Sequence, residues 1–457
     1  MPVHDHAIVI GASVAGLLAA AALTDTFQSV TILDRDTLPP GTAHRRGTAQ
    51  SRHAHGLLAR GREAMEELLP GLTEELAAQG GMPRDLQLHS RWISEGRPMA
   101  KADSGLIGVT VSRALLEGHL RRRVAAIPGV RVLEGRAVLG LVACGGRVTG
   151  VVTGTETLRA DLVVDASGRG SQAPRWLAEM GYEPAAEERV RIELCYATRV
   201  YARKPDDLDG DQTLVTTPTD AVHRAGVALA VEGDRWMVTV GGYGGDQPPL
   251  DHEGFTAFTK TLAAPDLYEL VRDAEPIEEG RPYRTPANVR RRYERLARFP
   301  GGFLVTGDAV CAFNPMYGQG MTVASLEALA LRDAIAGGGL DGVARRFFRS
   351  IRKVVDGPWD VVVGGDLRFP EVEGVRTRKA AMVNAYLRHF HAAAARDPEL
   401  GRRFLRVANL IDPPASLMKP STLLRVWRAG RSAGARAEGL PGGGKAPALQ
   451  VGSNDSA

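Results

Sequence analysis

Two segments with glycine turns, far apart in the chain, carry the residue types that bind nucleotide phosphates. The first follows the apolar run 7–10 and leads into the alanine-rich run 14–23, which is typical of a strand, a tight turn and a helix. The free backbone amides of such a turn and the positive end of its helix suit a pyrophosphate. The predicted phosphate-binding residues are Gly11, Ser13, Val14, Ala15 and Gly16.

An acidic residue follows the strand that should come next. Residues 29–33 are predicted to form that strand, and Asp34 lies at its tip, about twenty residues after the glycines, where a ribose hydroxyl would be bound. Ser13 replaces the middle glycine of the Gly-x-Gly-x-x-Gly pattern, and serine is small enough to let the backbone approach a phosphate. An ordinary tight turn between strand and helix is the alternative interpretation.

The second segment, residues 307–309 (Gly-Asp-Ala), follows the apolar run 303–306. A loop with proline and glycine comes next, and residues 322–331 then favour a helix. The unpaired amides at the start of this helix would suit the electron-rich N1 and C2 carbonyl edge of a flavin ring. Because glycine turns at both ends of a chain are expected to hold one extended ligand, the sequence predicts FAD. The predicted flavin-side residues are Asp308, Gly318, Gly320 and Met321.

A third segment, residues 161–171, is a predicted strand that runs into a turn of small residues. With it, the two glycine segments resemble the FAD monooxygenases that share the para-hydroxybenzoate hydroxylase fold, a group that includes squalene epoxidase and the actinobacterial polyether epoxidases. Segments 50–61 and 309–321 resemble the polyether epoxidase branch in particular. The resemblance spans residues 5–430 and implies one FAD bound in an extended pose.

The resemblance also implies roles for individual residues. It assigns Asp34 to the adenosine ribose and Asp308 to the ribityl hydroxyls of FAD. Arg46 and Arg113 match positions near the FAD phosphates, where a guanidinium makes forked, charge-assisted contacts. Arg35, beside the ribose-binding acid, joins the cofactor-binding set. Solvated surface arginines are the alternative interpretation, since arginine is abundant here.

The order of these segments predicts the fold class. We expect an α/β protein with an FAD-binding Rossmann-like domain built on a parallel sheet, interleaved with a mostly antiparallel substrate-domain sheet, plus C-terminal helices. Within these units we expect a helix over residues 53–69, a hairpin around residues 145–146 in the cofactor sheet, and a helix over residues 374–395. The predicted domains are residues 1–185 and 301–340 (FAD-binding, discontinuous), 186–300 (substrate-binding sheet), 341–433 (C-terminal helical segment) and 434–457 (a disordered tail).

The composition of the 457-residue chain agrees with an enzyme of two or more domains and excludes several other classes. A net charge of +4 with 5% aromatic residues gives no basis for nucleic-acid binding. Three cysteines without redox spacing, no apolar leader and no apolar run of membrane-spanning length indicate a cytoplasmic protein without an integral membrane segment. His44, His53 and His55 lack an acid or a cysteine at ligand spacing, so no metal site is predicted.

Residues 241–245 (Gly-Gly-Tyr-Gly-Gly) imitate a second nucleotide-binding loop. They follow a predicted strand, but an aspartate, a glutamine and two prolines come after them instead of a helix, which indicates a turn. Without a separate NAD(P)H domain, the electron donor NAD(P)H would act at a surface groove or through a flavin reductase partner.

The expected chemistry follows from the cofactor. Reduced flavin reacts with dioxygen to give a C4a-hydroperoxide, whose distal oxygen can be transferred to an electron-rich alkene. Alkene epoxidation needs no strong protein base, so no catalytic residue is assigned, and the protein has to supply a dry, shaped cavity. The candidates nearest the flavin are Pro315, Met316 and His55, and weaker candidates for a cavity wall are Trp359, Asp366 and Phe369.

We therefore predict an FAD-dependent monooxygenase that uses dioxygen to epoxidise an alkene of a lipophilic, polyketide-like substrate, as in antibiotic biosynthesis. Aromatic hydroxylation on the same fold, reduction of isoprenoid double bonds, and a chain that only binds FAD are the alternatives. Halogenation is disfavoured because the Trp-x-Trp-x-Ile-Pro segment of flavin halogenases is absent.

Overall fold

The structure is a computed structural model that describes residues 4–437, except for the side chains of Arg46, Ala49 and residues 431–437. Its strands are, in chain order, β1 His4–Ile10, β2 Phe27–Leu33, β3 Gly56–Leu57, β4 Met82–Asp85, β5 Ser90–Ser94, β6 Arg97–Pro98, β7 Ile107–Thr110, β8 Val130–Leu133, β9 Val138–Cys144, β10 Arg147–Thr153, β11 Thr157–Arg159, β12 Leu162–Asp165, β13 Glu187–Ala202, β14 Thr213–Thr216, β15 Arg224–Val231, β16 Arg235–Gly242, β17 Arg281–Arg291, β18 Phe303–Val305 and β19 Cys311–Ala312. Its α-helices are α1 Val14–Leu23, α2 Ala59–Leu68, α3 Leu72–Ala78, α4 Arg113–Ala125, α5 Ala173–Glu179, α6 His252–Thr259, α7 Asp266–Val271, α8 Gly320–Ala336, α9 Val343–Asp366, α10 Arg378–Ala394, α11 Pro398–Ala408 and α12 Pro420–Ala437.

A five-stranded parallel sheet has the strand order β18-β12-β1-β2-β8. Its central strands are apolar and buried, which is typical of parallel strands covered by helices on both faces. Asp165, at the end of β12, pairs with Ile10 of β1 on one side and with Val305 of β18 on the other. Because these strands end in register, the turns that follow them meet at one edge of the sheet.

An eight-stranded sheet has the order β19-β17-β13-β16-β15-β14-β5-β6, and all of its neighbouring strands are antiparallel except the pair β14 and β5. One face packs on α6 and α7 through a core that includes Trp236 and Phe255. Strands β5, β6 and β19 of this sheet come from outside residues 186–300. The predicted domain boundaries stay a prediction. The predicted α/β class, with a parallel sheet and a mostly antiparallel one, is confirmed.

Three local predictions were wrong. Residues 53–69 are not one helix, because Ala54 donates a backbone hydrogen bond to Thr239 and β3 pairs with β7, which keeps the chain extended up to α2. The hairpin around residues 145–146 belongs to a separate three-stranded sheet, β11-β10-β9, since its strands pair with each other rather than with the parallel sheet. The helix expected over 374–395 begins at Arg378, where the side chain of Thr377 accepts a hydrogen bond from the Ala380 amide and caps the helix.

Helices α9 to α12 form the C-terminal part of the described chain. Helix α12 includes the first four residues of the predicted tail, and residues 438–457 lie outside the described residues. Within residues 4–437, every helix is too short or too polar to cross a membrane.

Candidate cofactor and substrate site

The two glycine segments, distant in sequence, are in contact in the structure. Gly11 has a φ of 105° at the turn after β1, a conformation that glycine adopts readily. A Cβ on Gly16 would lie 1.8 Å from the carbonyl oxygen of Gly11, so the first turn of α1 packs directly on that turn. A Cβ on Gly307 would lie 2.8 Å from the Cβ of Ala15, which places the second segment against the first. Both turns border the same cavity.

This cavity has a volume of about 1590 Å³ and extends from the turns to one face of the eight-stranded sheet. A site for one drug-sized ligand takes about 300–1,000 Å³, so there is room for an extended cofactor and a substrate. The predicted site residues that line it are Gly11, Ser13, Val14, Ala15, Asp34, Arg35, His55, Arg113, Asp308, Pro315, Met316, Gly318, Gly320 and Met321. Gly16 packs behind the turn, and the side chain of Arg46 is outside the described part of the chain. Their individual contacts with FAD stay predictions.

A buried ion-pair cluster lies at the tip of β2. Asp34 accepts hydrogen bonds from the backbone amide of Ala12 at 2.7 Å and from Nη1 of Arg45 at 2.7 Å. Arg45 also donates through Nε to Glu117 at 3.0 Å. Burial opposes the charge of Arg45, but the neighbouring carboxylates of Glu117 and Asp34 outweigh it and raise the pKa of the guanidinium. Sequence reasoning missed Arg45, because two adjacent arginines, Arg45 and Arg46, give no local signal of which one turns toward Asp34.

Ser13 links the phosphate-binding turn to α4. Its hydroxyl donates to Oε2 of Glu117 at 2.8 Å and accepts from Nη2 of Arg113 at 3.0 Å. Ser112 caps α4 by accepting a hydrogen bond from the Leu115 amide, so the helix begins at Arg113, next to this turn. A glycine at position 13 could not make these contacts. The serine that replaces the middle glycine therefore holds Arg113 and Glu117 beside the turn.

Asp308 lies in the cavity wall with 33% of its side chain exposed. Burial raises the pKa of its carboxyl, and the charge of Arg169 opposes this shift. Nε of Arg169 is 3.6 Å away, beyond hydrogen-bond distance, because that arginine donates to the carbonyl oxygens of Ala287 and Phe313. Within the described chain, no hydrogen bond occupies the Asp308 oxygens, so they can accept bonds from a polyol ligand.

Glu327 on α8 supports the turn that carries Asp308. It accepts hydrogen bonds from Oγ1 of Thr306 at 2.7 Å and from the amide of Gly307 at 2.6 Å. Burial raises the pKa of Glu327 to about 7. An acid inside the apolar run 322–331 was the signal that could have found it.

The histidines near the cavity are neutral at pH 7. Burial lowers the pKa of His53 to about 3 and that of His55 to about 4. Nδ1 of His55 lies 2.8 Å from the carbonyl oxygen of His53, so this nitrogen carries the proton and Nε2 is an acceptor. His44 pairs through Nδ1 with Ser51 at 3.0 Å. Within the described residues, no group of three or more His, Cys, Asp or Glu side chains could hold a metal ion.

A buried carboxylate fixes the loop after β19. Asp366, at the end of α9, is fully buried and accepts hydrogen bonds from the Tyr243 hydroxyl at 2.7 Å, Nδ2 of Asn288 at 2.7 Å and Nδ2 of Asn314 at 2.9 Å. The hydroxyl of Tyr317, in the loop, donates to it at 3.3 Å. Burial raises the pKa of Asp366 to about 6, although these donors lower it. Asp366 therefore holds the loop from behind rather than forming its surface.

The part of the cavity beyond this loop is called the substrate chamber. It is bounded by the sheet face of β5, β14, β15 and β16 on one side, and by the end of α9, α10 and α11 on the other. Phe369 lines it as expected, whereas Trp359 is buried in the core of the parallel-sheet unit. The apolar side chains of its walls include Val215, Val227, Leu229, Leu367, Phe369 and Phe404.

The residues at the other end of the cavity fit FAD. The amides of the first glycine turn stand at the N-terminus of α1, which suits a pyrophosphate. Asp34 and Asp308 place carboxylate acceptors at two separate points of the same cavity. A Cβ on Gly318 or Gly320 would meet no atom within 4 Å, so the loop before α8 borders the open space of the cavity.

Comparisons with known proteins identify the family. A model of the FAD-dependent oxidoreductases matches residues 7–270. Protein Rv3254 of Mycobacterium tuberculosis is 33% identical over 431 residues, which are 89% of this chain and 90% of that protein. PqsL, a probable FAD-dependent monooxygenase from Pseudomonas aeruginosa, has 16% identity over 80% of this chain and 98% of its own, with a TM-score of 0.61. The flavin-dependent brominase Bmp2 has 16% identity over 94% of this chain and 100% of its own, with a TM-score of 0.63.

The protein belongs to the FAD-dependent oxidoreductases, because the family model matches more than half of the chain. The predicted cofactor FAD is confirmed at the level of this family. The solved structures share its fold, and they include a probable FAD-dependent monooxygenase and a flavin-dependent brominase.

Proposed function

We propose that the protein is an FAD-dependent monooxygenase that epoxidises an alkene of a lipophilic, polyketide-like substrate. One oxygen atom of dioxygen adds across the carbon–carbon double bond, and the other leaves as water. NAD(P)H supplies the two electrons as hydride, and a solvent proton completes the water. The observation that carries the proposal is the single cavity that joins the cofactor-binding turns to an apolar substrate chamber.

The residues of the chain have distinct tasks in this reaction. Asp34, Asp308 and the glycine turns would hold FAD, which, when bound and reduced, activates dioxygen for oxygen transfer. The apolar walls exclude water from the reacting atoms and place the double bond beside the loop that contains Met316. Four donors occupy Asp366, so it is not available as a base, and alkene epoxidation requires none.

Aromatic hydroxylation is the second candidate, and one observation favours it. Neutral His55 lines the cavity with Nε2 as a hydrogen-bond acceptor, which can bind and orient the hydroxyl of a phenol. A phenolic substrate would then give a ring-hydroxylated product in place of an epoxide. Product analysis with an alkene and a phenol of similar size separates the two reactions.

Oxygen labelling tests the proposal directly. With ¹⁸O₂ in unlabelled water, we expect one labelled atom in the epoxide and one in water. Product oxygen that derives from labelled water would overturn the monooxygenase proposal. Product formation without dioxygen would favour the double-bond reductase.

A substitution in the loop tests where the reaction takes place. Met316 is half-buried, lines the cavity and packs against the cluster that contains Leu367 and Phe369. We expect Met316→Asp to keep its FAD content but to release more hydrogen peroxide per reductant consumed, because a carboxylate draws water into the chamber. Met382→Asp is the control, since Met382 is 73% exposed on α10. Unchanged coupling in Met316→Asp would contradict the placement of this loop beside the flavin.

A further inference from the structure

One face of the eight-stranded sheet forms a wall of the substrate chamber. On β5, Ser90 and Trp92 share this face, because side chains alternate along a strand, and both line the cavity. Ile93, which directly follows Trp92, lies on the other face in the core beneath α6 and α7. On the neighbouring parallel strand β14, Thr213 lies beside Ser90, and Val215 lies beside Trp92. The wall therefore carries a Ser–Thr pair next to a Trp–Val pair.

The hydroxyls of Ser90 and Thr213 have no hydrogen-bond partner within residues 4–437. Both residues are more than nine-tenths buried, at 4% and 7% exposure, and both line the cavity. Buried hydroxyls in proteins are nearly always hydrogen-bonded, so two unpartnered ones side by side require a partner from outside the chain. Because adjacent strands lie about 4.8 Å apart, both hydroxyls can reach the same oxygen atom of a ligand.

Apolar side chains surround this hydroxyl pair. Leu229 of β15 lies beside Thr213, and Val227 lies beside Val215. Trp92 packs edge-on against Phe404 of α11 with ring centroids 6.2 Å apart. A ligand at this wall would thus be apolar over most of its length, with a polar atom at the end that meets the two hydroxyls.

Two arginines beside this wall are paired with carboxylates. Arg368 pairs with Glu95, which directly follows β5, at 3.2 Å, and Arg388 pairs with Asp220 at 3.0 Å. His391 lines the same chamber, and burial lowers its pKa to about 4, so it is neutral at pH 7. A carboxylate at the hydroxyl pair would lose its hydration, and the two arginines are already paired, while Lys379, which also lines the cavity, is exposed to solvent on α10.

We propose that the substrate is an uncharged, elongated and mainly apolar molecule whose far end carries a hydroxyl or carbonyl oxygen, bound by Ser90 and Thr213. The proposal rests on the proposed function for the double bond that is oxidised near Met316. It adds the chemical class of the substrate and the two residues that recognise its polar end.

Three probes with one carbon skeleton test the class: farnesol, farnesoic acid and farnesene. Their affinities for the FAD-loaded protein are measured at pH 7.5 by isothermal titration calorimetry. Farnesol should bind about 3- to 30-fold more tightly than farnesene, as one or two neutral hydrogen bonds provide, and at least about 10-fold more tightly than ionised farnesoate. The proposal would be overturned if farnesoate bound as tightly as farnesol, or if none of the three probes bound.

Substitutions identify the residues that recognise the oxygen. We expect Ser90→Ala and Thr213→Val each to reduce the preference for farnesol over farnesene by about 2- to 10-fold, with farnesene binding unchanged. Thr213→Ser should keep the preference because it keeps the hydroxyl. Thr157→Val is the control, since Thr157 is exposed on β11 and does not line the cavity. Equal preferences in all four variants and the wild type would show that Ser90 and Thr213 do not bind the oxygen.

The outcome is separable from that of the oxygen-labelling experiment. A retained preference for the neutral alcohol with no ¹⁸O in any product would leave the substrate class standing and remove the monooxygenase reaction. Labelled epoxide from a substrate that binds as an anion would do the reverse.

Discussion

Asp308 offers the sharpest test of how the cofactor is held. Its carboxylate lines the cavity where the second glycine segment meets α1, and the nearest cation, Nε of Arg169, is 3.6 Å away. Asp308→Ala removes the proposed acceptor of the ribityl hydroxyls without breaking a hydrogen bond inside the described chain. One charge-assisted hydrogen bond contributes about 1.5–3 kcal/mol, which corresponds to about 10- to 150-fold in the dissociation constant of FAD.

The exposure of the side chain narrows this range. Because 33% of the Asp308 side chain is exposed, solvent screens part of the interaction. We therefore expect the lower part of the range, about 10- to 30-fold weaker binding. Asp308→Asn keeps one neutral acceptor and should lie between the wild type and Asp308→Ala.

The assay is a titration of the FAD-free protein with FAD, followed by the quenching of flavin fluorescence. Asp333→Ala is the control for the loss of one negative charge, since Asp333 lies on α8 with 71% of its side chain exposed. Wild-type affinity in Asp308→Ala would refute the role of the second glycine segment in FAD binding. An equal loss in Asp333→Ala would show that net charge, not the hydrogen bond, is responsible.

Three further predictions concern stability and electron supply. Arg45→Gln should lower the unfolding free energy, measured in urea, by about 3–5 kcal/mol, because it leaves buried carboxylates without their cation. Arg332→Gln, at a surface ion pair, should lower it by at most about 1 kcal/mol. Equal losses in the two variants would contradict this prediction. Since burial raises the pKa of Asp366 to about 6, its ionisation lowers the unfolding free energy as the pH rises from about 4 to about 6. Asp366→Asn should abolish about 3 kcal/mol of that dependence, and an unaltered pH profile of the urea midpoint would count against it. Finally, NADPH alone should bleach the flavin slowly in stopped-flow mixing, because we expect a partner reductase; rapid bleaching would exclude that requirement.

Some features of the site were predictable because they depend on neighbouring residues. The turn at residues 11–16 needs a glycine at the positive φ of Gly11 and a small residue at position 16, and both requirements are visible in the sequence. The place of Asp34 follows from the length of one strand, one helix and the next strand. The helix predicted over residues 322–331 lies within α8, since apolar residues and helix formers continue past the loop glycines.

Other features depend on residues that are distant in sequence. Residues 53–58 contain a helix-compatible pattern, yet hydrogen bonds to Thr198 and Thr239 and the pairing of β3 with β7 keep them extended. Strand β5 joins the eight-stranded sheet by pairing with β14, more than a hundred residues later, and β6 joins it by pairing with β5. Such strand pairings depend on how the whole chain packs, and no local sequence pattern predicts them.

The sequence by itself predicted FAD as the class of ligand, which the family match supports, and the two turns that border one cavity, because the geometry of backbone amides in such a turn is set within a few residues. The tertiary structure alone decided which polar side chains meet. Arg45 with Asp34 and Glu117, and Asp366 with its four donors, are brought together by elements up to 123 residues apart. Burying a charge without a partner costs more free energy than a single hydrogen bond contributes. Each of these charged groups is therefore stabilised by partners that the fold brings to it from distant parts of the chain.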